Sequence, residues 1–273
     1  MRRFIILLAI LISQPLFASD KIVVLDVGEG LCVLVQHQSE GMIIDTGHPG
    51  MSARILQRLE KYGVKTLELI VLTHLHPDHA GGYFRLREAF PDATVIHSGH
   101  PLPEKISPDL VRWVNEALKK DPRQKQVMAG HHLSWHDYTL SFLWPKAFTS
   151  QNLNRHSLVI RIEYKTFTGL VMGDADTVVE RSLLKSKALA PVELLVAGHH
   201  GASDASSPSF LEHIQPQVSV ISVDKDNIRG YPSPNTVSNL RQFSGKLLRT
   251  DRDGDICIRF SHENNGFYLG CPR

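Results

Sequence analysis

Residues 73–82 read THLHPDHAGG, with three histidines and an aspartate packed between His74 and His79. The preceding run, LELIVL, is apolar and short enough for a buried strand, so the cluster falls at a strand's C-terminal end, where α/β proteins usually bind ligands. His74 and His76 are two apart in a loop, which lets both imidazoles turn to one ion. The adjacent Asp78 and His79 can face a second ion beside it. Imidazole and carboxylate donors suit zinc, manganese or iron, and three protein ligands leave a position for water. Pro77 stiffens the loop, while Gly81 and Gly82 let the backbone pass close by before a helix begins.

Other ligand-type residues also follow apolar runs. Asp45 comes after MII, Asp174 after LVMG, and the pair His199–His200 after LLVAG. Rigid strands can hold such loop residues around one point. The remaining histidines, His48, His97, His100, His131 and His132 among them, lie outside these runs and read as solvated. His48, His131 and His132 are the ones placed to line a pocket.

The rest of the chain alternates strands and helices. KIVVLDV, LCVLVQ and GMIIDTG are three short strands joined by glycine turns, which suggests a meander at a sheet edge. Residues 52–62 carry Ile55, Leu56 and Leu59 at helical spacing, with Ser52 as N-cap and Gly63 as stop. YFRLREAF and residues 108–120 are further helices, and TVIH is a strand. Residues 121–137 are polar, with few periodic cues. YTLSFLWP, SLVIRIEY, TGLVMGD, VELLVAG, VSVISVD and KLLRT are strands, interleaved with the helices TVVERSLLK, SPSFLEHI and SPNTVSNLRQF. Two strand-rich halves with helices between them predict two mixed β-sheets packed face to face with helices outside, an α/β sandwich.

Residues 1–18 stand apart. Arg2 and Arg3 precede FIILLAILI, and Ala18 supplies a small residue at a cleavage point. This reads as a secretory signal peptide, too short for a comfortable membrane span. Cleavage would leave residues 19–273 as a periplasmic or secreted domain with no stable membrane insertion. The full chain has 30 basic and 28 acidic residues. Removing two arginines makes the mature chain neutral, so no general electrostatic pull draws it to nucleic acid. Cys32 lies in an apolar run and reads as a buried thiol. Cys257 and Cys271 flank a terminal hairpin whose turn, near Asn264, would bring them opposite one another, so a disulfide is expected in an oxidising compartment.

THLHPDH matches the HxHxDH signature of the metallo-β-lactamase superfamily. IIDTG resembles that family's earlier aspartate motif and LVMGD its later one. The resemblance covers almost the whole of residues 19–273 and implies the αββα fold. Within the superfamily, LDVGEGLCVLV, NRHSLVIRI, LVMGDAD with Glu180 following, AGHHGASDASS and LLRTDRDGDICI are similar to the hydrolase domain of ComEC-type competence proteins, which read DVGQG, NxxSLV, TGD, HHGS and TDxxG at these points. Secreted phosphorylcholine esterases of similar fold are also resembled. The resemblance implies two divalent metal ions, zinc with manganese as the alternative. It assigns His74, His76 and His156 to the first ion, and Asp78, His79 and one of the pair His199–His200, with His200 favoured, to the second. Asp174 would bridge them, Asp45 would orient the ligands through hydrogen bonds, and His199 would stand beside the ligands in a proton-transfer role.

One departure bears on substrate chemistry. The ComEC-like pattern NxYGHP is replaced by Asn227-Ile228-Arg229-Gly230-Tyr231-Pro232, so Tyr231 stands where histidine is expected. A tyrosine hydroxyl can donate a hydrogen bond to an anion, but its ordinary pKa of about 10 suits it poorly to proton shuttling at neutral pH. The expected activity is hydrolysis of a phosphodiester, either a small molecule or nucleic acid. Arg155, Arg161, Lys165, Arg229 and Arg241 are candidates for a local phosphate-binding patch. The competing readings are hydrolysis of a β-lactam, lactone or thioester by the same metals, and a metal-binding protein without catalysis.

Overall fold

The computed structural model describes residues 20–100, 108–261 and 266–271. Residues 1–18, read above as a signal peptide, and the turn expected near Asn264 lie outside them. The first half contributes β1 (Lys21–Val24), β2 (Val33–His37), β3 (Glu40–Ile44), β4 (Thr66–Val71), β5 (Thr94–His97) and β6 (Gln124–Gln126), with helices α1 (Ser52–Lys61), α2 (Pro77–Ala80), α3 (Tyr83–Ala89) and α4 (Asp109–Lys120). The second half contributes strands β7 (His132–Trp135), β8 (Tyr138–Trp144), β9 (Val159–Tyr164), β10 (Phe167–Val171), β11 (Leu194–Val196), β12 (Val218–Ile221) and β13 (Lys246–Arg249). Its helices are α5 (Thr177–Ser186), α6 (Pro208–Ile214) and α7 (Pro234–Phe243). After α8 (Thr250–Asp253), β14 (Ile256–Phe260) and β15 (Phe267–Leu269) return to the first sheet.

Both sheets are mixed. The first has the order β15-β14-β1-β2-β3-β4-β5-β6 and the second β13-β12-β11-β10-β9-β8-β7. In each, an antiparallel meander leads into three parallel strands reached by helical crossovers. The alternation along each strand sets the layers. Ile22 and Val24 of β1 join Tyr138, Phe142, Ile160 and Val196 between the sheets, while Val23 turns outward with Leu34 and Ile43. That outer face is covered by Ile55 and Leu59 of α1 and Val111, Val114 and Leu118 of α4. On the far side Leu170 and Leu195 pack under Val179, Leu183, Phe210 and Leu240 of α5 to α7. Sheet faces buried on both sides explain why the strands read as near-continuous apolar runs.

Three details differ from the sequence reading. The β1–β3 meander is not at an edge, because β14 pairs with β1 and β15 extends beyond it. The polar segment 121–137 contains β6 and β7, short strands at sheet edges where one side needs no apolar cover. Ser52 opens α1 from inside: Met51 is the cap, and the Ser52 hydroxyl donates to the Pro49 carbonyl at 2.9 Å. Cys257 and Cys271 are disulfide-bonded across the terminal hairpin, and Cys32 is a buried free thiol. Among the described residues no helix is long and apolar enough to cross a membrane.

Candidate metal centre

The site lies beyond the C-terminal ends of β3, β4, β10, β11 and β12. His76 caps α2 with Pro77 in its first turn, so Asp78 and His79 leave the same short turn and are both buried. Room for this turn comes from glycines. A Cβ on Gly30 would come within 2.1 Å of the Asp78 carbonyl, and one on Gly82 within 2.4 Å of the Thr46 carbonyl. Across the site, His199 (φ 50°) and His200 (φ 53°) both adopt the left-handed conformation, as does Asp45 (φ 63°). Such backbone costs of order 1–3 kcal/mol per residue and persists only where surrounding contacts impose it. Its effect here is to send the two neighbouring rings of the 199–200 pair in different directions.

His200 turns inward. Its Nδ1 donates to the Ser222 carbonyl at 2.9 Å, which leaves Nε2 as a free lone pair 3.2 Å from His79 Nε2 and 3.5 Å from both Asp78 Oδ2 and Asp174 Oδ1. His79 is oriented the same way by Asp45, whose Oδ2 accepts from Nδ1 at 2.7 Å. Asp45 is itself held by the backbone N–H and the hydroxyl of Thr73, each at 2.7 Å. On the other side His74 presents Nε2 to His76 Nδ1 at 3.0 Å, with its Nδ1 against the hydroxyls of Thr73 and Ser157. Fixing one ring nitrogen by a partner so that the other is a lone-pair donor is the usual preparation of a metal-binding histidine.

Two groups of ligand atoms result, each within 4.8 Å mutually: His74, His76 and Asp174, and Asp78, His79 and His200. Asp174 faces both. Its Oδ1 lies 3.0 Å from His79 Nε2, and its Oδ2 lies 3.7 Å from His74 Nε2. The donor set fits divalent metal ions. Asp78 Oδ2 and Asp174 Oδ1 are buried without a hydrogen-bond partner, and an orphaned buried carboxylate oxygen is costly unless a cation meets it. The nitrogen–nitrogen separations also match two ligands sharing an ion at about 2.0–2.1 Å.

The charged neighbours act on the rings in opposite directions. Burial would lower the His79 imidazole, but Asp174 and Asp45 outweigh it and hold the ring well above the ordinary histidine value. Burial also opposes charge on Asp174, yet His79 and His200 keep it well below the usual carboxylate range. His74 is driven well down, first by burial and then by the His79 charge, so its ring is neutral and able to donate a lone pair.

His156 is not brought into either group. Its ring sits in the turn Leu153–His156, with Nε2 at 2.8 Å from the Ser150 carbonyl and its face 4.1 Å from the His100 ring, centroid to centroid. The backbone contact and the packing on His100 hold it outside both ligand groups. From the same turn Asn154 reaches the site instead: its Nδ2 is 3.1 Å from His199 Nε2 and its Oδ1 is buried without a partner. Asn154 and Ser157 are the fixed letters of NRHSLV, a signal that points to them rather than to the histidine between. His199 stands between the rim and the ligands, with Nδ1 3.0 Å from Asp204 Oδ1 and Nε2 3.5 Å from the Tyr231 hydroxyl and 3.9 Å from Asp174 Oδ2. His97 and His100, expected to be solvated, are buried, whereas His48, His131 and His132 are exposed. Glu180 anchors the loop after His200 by accepting from the backbone N–H groups of Ser206 and Ser207.

A sequence model of the metallo-beta-lactamase superfamily matches residues 25–223. Recombination protein 2 of Haemophilus influenzae is 27% identical over 94% of this chain and 30% of its own length. Competence protein ComA of Neisseria gonorrhoeae is 30% identical over 86% of this chain and 31% of its own length. The chain thus spans less than a third of either relative. The crystal structure of the metallo-beta-lactamase fold protein YhfI from Bacillus subtilis superposes with a TM-score of 0.55, covering 92% of this chain and all of that one. At 12% identity that likeness speaks to the fold alone.

Proposed function

The chain belongs to the metallo-β-lactamase superfamily, and from that premise we propose that it is a secreted or periplasmic hydrolase of phosphodiesters, working with two divalent ions, zinc or manganese. The observation that carries the reading is the position of Asp174, whose two oxygens face the two ligand groups from between them. Divalent ions held there would supply Lewis acidity, making water a nucleophile near neutral pH and offsetting charge on the attacked group. In-line attack on phosphorus suits such a paired site.

The chain's own groups supply the rest. Asp78, with an oxygen free of hydrogen bonds, orients the attacking water and accepts its proton. His199, tethered by Asp204, moves a proton at the rim. Burial raises the Tyr231 phenol above its ordinary value, against the pull of the Arg229 charge. Tyr231 therefore keeps its proton at neutral pH and donates a hydrogen bond to an anionic oxygen. The similarity to competence proteins supports phosphodiesters as the substrate class, with nucleic acid and small molecules both within it. Metal-reconstituted protein assayed in parallel with bis-p-nitrophenyl phosphate and a chromogenic cephalosporin tests the proposal. Turnover of the first, lost in Asp78→Ala, is expected; turnover of the cephalosporin alone would overturn it. Fewer than one bound ion per chain after metal-replete expression would count against catalysis of any kind.

A further inference from the structure

The five basic residues offered by the sequence as a phosphate patch are not equivalent. Arg155 is paired with Asp176 at 2.7 Å, Arg161 lies 3.6 Å from Glu163, Lys165 lies over the Tyr164 ring, and Arg241 is exposed on α7. Arg229 alone of the five contacts a ligand group: its Nη1 is 3.7 Å from Asp78 Oδ2, while its Nε is 3.0 Å from Glu29 Oε1. The residues that meet are both departures from the ComEC-like pattern, Glu29 from the glutamine of DVGQG and Arg229 from the tyrosine of NxYGHP.

We propose that Arg229 is the anion-recognition residue of this site and Glu29 its resting counter-ion, so that a phosphate oxygen of the substrate replaces the Glu29 carboxylate on the guanidinium. The inference rests on the phosphoester reading above. Both side chains are partly exposed, 47% for Arg229 and 36% for Glu29, and an ion pair so exposed is weakly held. Carboxylate and phosphate oxygens both suit the guanidinium fork, so a phosphate can take the place of the Glu29 carboxylate. The backbone beneath Arg229 is fixed while its side chain is free to change partner. Asn227 accepts from the Tyr231 N–H at 2.8 Å and donates to the carbonyls of Asp224 and Tyr231, both at 2.7 Å. Ser233 N–H anchors the loop's end on the Gly201 carbonyl at 2.8 Å, beside His200. Glu29 is seated opposite by Gly30, which packs directly on the Asp78 carbonyl.

The test measures inorganic phosphate binding to metal-loaded protein by calorimetry, alongside KM and kcat for bis-p-nitrophenyl phosphate, with metal content determined for every variant. Arg229→Ala should weaken phosphate binding about tenfold or more and raise KM more than it lowers kcat, at unchanged metal content. Arg229→Lys should recover part of the loss, and Glu29→Gln should tighten phosphate binding by removing the competitor. Equal phosphate affinity in wild type and Arg229→Ala, no tightening in Glu29→Gln, or loss of metal in Arg229→Ala would each overturn the assignment. Phosphate binding that responds to these variants in a protein that cleaves no phosphodiester would remove the phosphodiesterase reading and leave Arg229 as the anion site.

Discussion

Two groups of histidines lie side by side in this fold, and they behave in opposite ways. His74, His76, His79 and His200 are interleaved with Asp78 and Asp174, and partners on the outer nitrogens of His74, His79 and His200 turn the inner ones toward the carboxylates. His97, His100 and His156 are equally close-packed but have no carboxylate among them. They share a small pocket with Leu72, Leu75 and Leu153, whose wall also includes His74. Both nitrogens of His97 are taken, by Gln124 and by the Gly99 N–H. The rings of His100 and His156 pack against each other and Phe148. Burial lowers His74 and His76 as it lowers His100, which is pushed down to about 4 first by burial and then by His156; His79, between Asp174 and Asp45, is raised instead. Histidine density alone does not make a metal centre. Carboxylates that balance the ion's charge, and partners that fix each ring, do.

This contrast can be broken most directly at the shared carboxylate. Asp174→Ala should lower bound metal to one ion per chain or fewer and cut turnover more than about 100-fold, beyond the cost of losing an outer partner; elemental analysis and kinetics check both. Retention of two ions would dissolve the distinction between the groups. Asp45→Asn keeps the shape but weakens the acceptor for His79 Nδ1, and metal affinity, read by chelator competition, should fall about 10- to 100-fold. His156→Ala should change metal stoichiometry by less than about twofold, since its ring is outside both ligand sets. A loss as large as that of His200→Ala would return His156 to the centre.

The smallest effect concerns pH. The folded-state value of His100, about 4, lies below its ordinary 6.5, so the unfolded chain takes up this proton first. Stability from this residue is intact above pH 6.5 and is lost as pH falls toward 4. His100→Asn should flatten that slope by a few degrees of Tm at most, measured as the difference between the two proteins across the window.

Much of this was legible before any coordinates. The apolar runs marked nearly every interior strand, because strands buried on both faces cannot be polar. β6 and β7 were missed because edge strands carry no such mark. The cluster at His74–His79 was readable because its four ligand-type residues are adjacent in sequence and need no long-range folding to be neighbours. His156 misled because proximity to a motif says nothing about which way a ring turns; Asn154, two residues earlier, is the side chain that reaches the rim.

The sequence by itself carried the superfamily, through the likeness of its motifs, and the layering of two sheets with helices outside, through its apolar runs, and it named most of the candidate ligand residues that the fold groups around Asp174. Tertiary structure alone decided three things: that His200 joins Asp78 and His79 in one ligand group while His199 stands beside it at the rim, that His156 lies outside both groups, and that Arg229 meets Glu29 and Asp78. Each depends on the direction of a side chain, set by backbone torsions and by partners distant in the chain, such as Ser222 for His200 and Ser150 for His156. Composition and spacing carry no record of those directions.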